Sequence, residues 1–210
     1  AFVSKGRGNR HTVYVTVFKE RDLVKPIAAG AKFALQDYFD HPEGYESRFA
    51  HFLPSLTLLV NAVYWDKRYP RFVTWAGLKR LDETTRPRKL SGIADITCDT
   101  FGSIECNVKS TDSDMPAYRV DPAAGTTQDG HLGEGIVLLA VDNLPCELPQ
   151  DSSTFFSNQL APFVPALLKA DYGSSLADSG LPPEIQKAVI VYNGKLTPNY
   201  EYLNAYLAKQ

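Results

Sequence analysis

Nothing in this 210-residue chain approaches the roughly 20 consecutive apolar residues that a helix needs to cross a bilayer. The opening stretch, AFVSKGRGNRH, has no apolar block of the kind a secretory signal requires. These two absences predict a soluble, intracellular protein, with no membrane partner. Charge of one sign is equally scarce: 22 Lys and Arg against 24 Asp and Glu leave a net charge of −2. A balance so close to neutral argues against nucleic acid as the main partner. Only three cysteines occur, Cys98, Cys106 and Cys146, and no two of them form a CxxC pair. Set in or just after apolar runs, they read as buried, reduced thiols rather than as a redox or metal centre. His11, His41, His51 and His131 show neither HExxH nor any other ligand spacing, so no protein-bound metal is expected. A complete dinucleotide loop is missing too. Gly6-Arg7-Gly8-Asn9 lacks the third glycine, precedes rather than follows a clear strand, and reads as a chain terminus.

What the chain does have is apolar residues enough for a core. At 44% hydrophobic and 22% charged, it reads as one globular domain over residues 1–210, or part of a slightly larger one. Two runs carry most of the information. ADITCDTFGSIEC (94–106) and GIVLLAVDNLPCELPQDSS (135–153) are strand-like, and each stops at a carboxylate or carboxamide close to Gly or Pro. Strand ends of this kind are where an open α/β sheet turns outward into its ligand crevice.

The remaining segments supply an alternation of strands and helices. HTVYVTVF (11–18) is β-branched and aromatic and reads as a strand. His41-Pro42-Glu43 resembles a helix start, with an amphipathic helix running to Phe52. Residues 56–64, LTLLVNAVY, are apolar almost throughout and read as an interior parallel strand covered on both faces. Thr74 can cap a helix to about Leu81, and a second buried strand follows over 92–98. Turn signals between Lys109 and Gly135 suit a hairpin or an irregular insertion, and residues 136–141 run as a strand into Asp142. Asp151 or Ser152 is a candidate cap for a long helix that Pro162 and Pro165 must start, kink or divide. Pro182-Pro183-Glu184 opens another helix, which Asn193-Gly194 would terminate, and a tyrosine-rich helix over 200–207 closes the chain. The pattern predicts a parallel α/β sheet with helices at its end.

Asp99 admits two readings: a turn residue capping its own backbone, or a carboxylate at a strand end that orients a substrate amine or a cofactor amide. Glu105 either extends that face or is a solvated strand residue. Asp142-Asn143-Leu144-Pro145 is either a turn or a carboxylate and amide able to hold a ribose hydroxyl or a carboxamide. The DSS at 151–153 would aim helix N–H groups at the same crevice, a favourable place for an anion.

At these residues the chain resembles a known family. The two runs, together with HPEGYESRFAHFLPSLTLLVNAVYWDKRYPRFVT (41–74) and VIVYNGKLTPNYEYL (189–203), are similar to the C-terminal part of the lysine-ketoglutarate reductase half of bifunctional α-aminoadipic semialdehyde synthases. The similarity extends from about Val13 onward. More distantly, both runs resemble alanine dehydrogenase and transhydrogenase, whose patterns there are D-Q-G-G and N-M-P-G. The resemblance implies a partial Rossmann-like parallel sheet with flanking helices and a C-terminal helical segment. It implies NADPH-dependent reduction of the imine of L-lysine and 2-oxoglutarate to saccharopine. It places Asp99 in the active site, puts Asp142 and Asn143 beside the nicotinamide ribose and carboxamide, and sets Asn61 and Ala62 on a strand end lining the cofactor cleft.

The departures from the family matter equally. The lysine and histidine that perform acid–base chemistry there belong to an N-terminal domain, and neither that domain nor the full glycine-rich turn matches anything in this chain. The expectation is a chain that begins near a late strand of its sheet, with a further domain or a second copy covering the sheet edge. The alternative is an inert domain that keeps the fold for assembly or weak ligand binding. NAD against NADP preference and a mitochondrial or cytoplasmic setting are not legible in these residues.

Overall fold

The computed structural model describes residues 11–207, so Gly6-Arg7-Gly8-Asn9 lies outside the described residues. The chain divides into two compact units, one ending at Glu147 and the other beginning at Leu148. In the first unit the strands are β1 (Val24–Pro26), β2 (Tyr45–Ser47), β3 (Leu58–Asn61), β4 (Gly92–Asp95), β5 (Ala117–Asp121), β6 (Thr126–Asp129) and β7 (Ile136–Leu139), and the helices are α1 (Glu20–Leu23), α2 (Leu35–Asp40) and α3 (Trp75–Thr84). The second unit holds α4 (Pro149–Leu160), α5 (Val164–Lys169), α6 (Pro183–Ala188), the hairpin β8 (Val191–Tyr192) and β9 (Lys195–Leu196), and α7 (Asn204–Leu207).

A five-stranded sheet in the order β3-β4-β7-β5-β6 organises the first unit. β3, β4 and β7 are parallel, as the apolar runs predict, and the β5–β6 hairpin continues the sheet antiparallel beside β7. The α/β, Rossmann-like expectation therefore holds over three parallel strands in a sheet that is mixed overall. Side-chain alternation gives the parallel strands unequal faces. Leu59, Ile93, Ile136 and Leu138 are buried with Leu78 and Leu81 of α3 in one core. On the opposite face, Leu58 and Val60 are 59% and 58% exposed. Of the run over 56–64, only Leu58–Asn61 is strand, and it is the last strand of its sheet among the described residues, with Leu58 and Val60 exposed. The run's apolar composition matches an interior strand, but composition cannot say which strand sits at the edge.

Other expectations fail for local reasons. Residues 12–18 form no strand: they are extended, and Val13, Tyr14, Val15 and Val17 are 70–86% exposed. β-propensity needs a ladder partner, and none is present among the described residues. The helix expected over 41–52 is replaced by a 3-10 turn at Pro42–Gly44, then β2, then short 3-10 turns. β2 forms there because it pairs antiparallel with β1. In the second unit, α4 begins at Pro149 with no side-chain cap, so Asp151 lies inside its first turn instead of capping it. Pro162 divides the helix at a 3-10 turn over Ala161–Phe163, one of the outcomes anticipated. Asn193-Gly194 does not end α6; it is the two-residue turn of the β8–β9 hairpin, with φ of 48° and 75°. Asn-Gly is the pair that such a turn favours. Residues 198–203 are 3-10, and only Asn204–Leu207 is α-helical. Thr74 does cap α3, its hydroxyl accepting from the Gly77 N–H at 3.0 Å.

Candidate active site

The site begins with register. β3 and β4 pair so that Asn61 lies opposite Asp95, on the buried face of the sheet. Asp95 Oδ1 accepts from Asn61 Nδ2 at 2.7 Å, and its Oδ2 accepts from Asn107 Nδ2 at 2.8 Å. Asn61 Nδ2 also donates to Ser103 Oγ at 2.9 Å, while the Tyr118 hydroxyl donates to Asn107 Oδ1 at 3.2 Å. All five side chains belong to buried residues. Buried polar atoms are tolerated when each finds a partner, and here the partners are one another. The network ties the ends of β3 and β4 to the loop that follows and to β5.

Asp95, not Asp99, is therefore the residue at which the second strand ends, three positions before the end of the strand predicted over 92–98. Asp95 is not among the site residues expected from the sequence. A signal existed: Asp95 falls two residues after Ile93, on the inward-facing repeat of an apolar run, and Asn61 holds the matching inward position after Leu59.

Beyond β4 the chain makes a tight loop. Cys98 and Phe101 both adopt φ of 55°, the left-handed region that side chains rarely enter. Gly102 donates its N–H to the Asp99 carbonyl at 2.8 Å, and Phe101 N–H to the Asn107 carbonyl at 2.7 Å. A side chain at Gly102 has no room, since its Cβ would stand 2.5 Å from that of Asp99. From outside, the Arg71 guanidinium donates to the carbonyls of Phe101 at 3.0 Å and Gly102 at 3.2 Å. Asp99 is thereby held half-buried on a fixed backbone, and its carboxylate takes no hydrogen bond among the described residues. Burial, and then the nearby Asp95 carboxylate, raise its pKa above the usual aspartate value. Glu105 does neither of the things expected of it. It accepts the Trp75 N–H at 2.9 Å, capping the start of α3.

At the end of β7 the chain leaves the sheet into the open. Asp142 and Asn143 are both exposed, ahead of a 3-10 turn over Leu144–Glu147 in which the Asn143 carbonyl accepts the Cys146 N–H. Burial pushes the Cys98 thiol up, and the charges of Asp142 and Asp95 add to that effect, so the ends of β4 and β7 share one electrostatic neighbourhood. Cys106 is pushed up to about 12 by burial. Both thiols are buried and protonated at neutral pH, as expected, whereas Cys146 is exposed. It sits on the outward turn after the strand, not within the apolar run. Ala62 is exposed at the end of β3, and with Asn61 it lines a separate, mainly apolar cleft of about 340 Å³. No cluster of His, Cys, Asp and Glu suited to a metal occurs among the described residues. Nor is any helix there long and apolar enough to cross a membrane.

Three parallel strands whose ends lead to Asp95, Asp99 and Asp142 side by side form a Rossmann-like α/β arrangement. The chain belongs to the alanine dehydrogenase/PNT C-terminal domain family, whose model matches residues 45–199. It is 36% identical over 194 residues to an alpha-aminoadipic semialdehyde synthase of Arabidopsis thaliana, covering 92% of this chain and 18% of that protein. To the mitochondrial alpha-aminoadipic semialdehyde synthase of Rattus norvegicus it is 33% identical over 209 residues, covering 93% and 22%. A saccharopine dehydrogenase (NAD(+), L-lysine-forming) of Emericella nidulans is 30% identical over 117 residues, covering 54% and 28%. The chain thus spans about one fifth of the length of the semialdehyde synthases it matches. Among solved structures, an L-alanine dehydrogenase superposes with a TM-score of 0.52 at 20% identity, covering 76% of this chain and 38% of that one. That likeness is one of fold.

Proposed function

We propose that this chain forms the nicotinamide-side wall of an NADP-linked reductase that converts the imine of L-lysine and 2-oxoglutarate to saccharopine. The observation that carries the reading is Asp99: a half-buried carboxylate on a clamped loop four residues past a parallel strand end, with no hydrogen bond to satisfy it among the described residues. Family membership and the similarity to semialdehyde synthases over more than nine-tenths of the chain support it. NADPH, when bound, supplies the hydride that reduces the imine carbon.

In this reading the side chains of the chain bind and orient. Asp99 faces the substrate nitrogen and favours its cationic form, or holds a neighbouring lysine. Asp142 and Asn143, exposed where β7 ends, offer acceptors and a donor to the ribose and the carboxamide. Ala62 and the Asn61 backbone border the cofactor from β3. The acid–base lysine and histidine of the resembled family, and its complete pyrophosphate-binding turn, match no residues among these 210.

Two measurements test the reading. NADPH titrated into the complete reductase polypeptide should quench or enhance tryptophan fluorescence saturably and at lower concentration than NADH; equal response to both would remove the NADP assignment. In the complete reductase polypeptide, Asp99→Asn should lower kcat for saccharopine formation by about 10²-fold or more, in the range typical of a positioned acid–base or electrostatic group. Unchanged turnover would remove Asp99 from the chemistry.

A further inference from the structure

The loop that carries Asp99 is held from the segment that follows the neighbouring strand, β3. There the backbone lies along the far arm of the loop: the Phe72 and Val73 N–H groups donate to the Ser103 carbonyl at 2.9 and 3.1 Å, and the Glu105 N–H donates to the Val73 carbonyl at 2.8 Å. From this seam the Arg71 side chain reaches the tip of the loop. Its Nε donates to the carbonyls of Phe101 at 3.3 Å and Gly102 at 3.2 Å, and its Nη2 donates to that of Phe101 at 3.0 Å. Nη1 lies 3.7 Å from Glu105 Oε1, and the guanidinium carbon lies 5.9 Å from the centre of the Trp65 ring. Trp65 is itself fixed, its indole N–H donating to the carbonyls of Tyr69 at 3.1 Å and Pro70 at 3.3 Å.

The loop needs such a hold. Phe101 sits at φ of 55°, where a bulky residue is an outlier, and it is 52% exposed, so packing of its own side chain does little to keep it there. Backbone of this kind persists only where its surroundings over-determine it. A planar guanidinium, with its donors in a fixed fork, can take two adjacent carbonyls at once. The Gly102 N–H in turn donates to the Asp99 carbonyl at 2.8 Å, so the hold passes directly to the aspartate. We infer that Arg71 is a positioning residue: through the carbonyls of Phe101 and Gly102 it fixes where the Asp99 carboxylate stands, without touching the substrate, a part that rests on the role proposed above for Asp99. A guanidinium that instead bound a substrate carboxylate would contribute independently of Asp99, and kinetics separate the two.

The test is a double-mutant cycle in the complete reductase polypeptide, with Arg71→Met, Asp99→Asn and both together. The Arg71 side chain is 41% exposed, and methionine keeps an apolar stem against Trp65, so the substitution spares the core. Arg71→Met should lower kcat for saccharopine formation by about tenfold to 10²-fold, the cost of a reacting group misplaced by about 1 Å. KM for lysine and for 2-oxoglutarate should stay within about twofold, because no ground-state contact is lost. In the Asp99→Asn background the same substitution should change kcat by less than about twofold, since residues that act as a unit are not additive. Free guanidinium ion should restore part of the kcat of Arg71→Ala and none in Arg71→Ala combined with Asp99→Asn. Unchanged kcat in Arg71→Met, an equal fold-loss in both backgrounds, a change confined to the KM for 2-oxoglutarate, or no rescue by guanidinium would each overturn the inference while leaving Asp99 its role. Unchanged kcat in Asp99→Asn would remove that role and the part of Arg71 with it.

Discussion

β4 and β7 lie side by side in one parallel ladder, and each runs towards an aspartate, yet the two carboxylates end in opposite surroundings. Asp95 is 2% exposed and locked between two carboxamides, whereas Asp142 is exposed on an outward turn. One is a fixture of the fold, and the other is reachable by a ligand. Asp99 stands between them in character, carried by the loop that the first supports. The contrast shows why a carboxylate at a strand end is ambiguous in sequence: the same residue type can brace a crevice or face into it.

Substitution should separate the two most sharply at Asp95. Asp95→Ala strands the Asn61 and Asn107 amides in the interior, and each orphaned donor costs about 1–3 kcal/mol. The expected loss is about 2–5 kcal/mol in urea unfolding, with Asp142→Ala within about 0.5 kcal/mol of the parent. Equal losses at the two sites would erase the distinction. Gly102→Ala comes next, because its Cβ would press on both Asp99 Cβ at 2.5 Å and the Asp99 carbonyl at 2.7 Å. Overpacking of this kind costs about 1–3 kcal/mol, and the Asp99 loop should lose its amide protection first. Thr74→Ala, which removes the cap of α3, should cost about 1 kcal/mol.

A smaller effect tests Asp99 through pH. Its pKa is higher in the folded than in the unfolded protein, because of burial and then Asp95. The folded state therefore holds this proton more tightly, and stability falls as pH rises from the ordinary value of 3.8 through the raised one. Asp99→Asn removes that penalty. The variant should melt slightly above the parent at neutral pH, and the difference should vanish below the ordinary value. A variant that melts lower at neutral pH would mean that the carboxylate is structural. Thiol labelling gives the mildest check: Cys146 should react in the native state, while Cys98 and Cys106 react only on unfolding.

Much of the fold is legible in the sequence because apolar runs and caps are local signals. The three parallel strands, the hairpin between Lys109 and Gly135 and the Thr74 cap all follow from residue patterns. What is not legible depends on partners distant in sequence. β2 exists because β1 pairs with it, while 12–18 stays extended because nothing described pairs with it. Glu105 caps a helix 30 positions earlier, a contact that no spacing rule reveals. Asp95 is inconspicuous in sequence because Asp99, not Asp95, stands next to the turn residues. Sequence also cannot tell that the Asn61 amide is taken up by Asp95 and Ser103.

The most direct test of the central contrast is to add NADPH to the isotopically labelled chain and follow its backbone amides by NMR. The account predicts saturable shifts at Asp99–Gly102 and at Asp142 and Asn143, smaller ones at Asp95 and Asn107, and none in β6. Saturable shifts confined to residues away from both strand ends, or no saturable shifts at all, would contradict it.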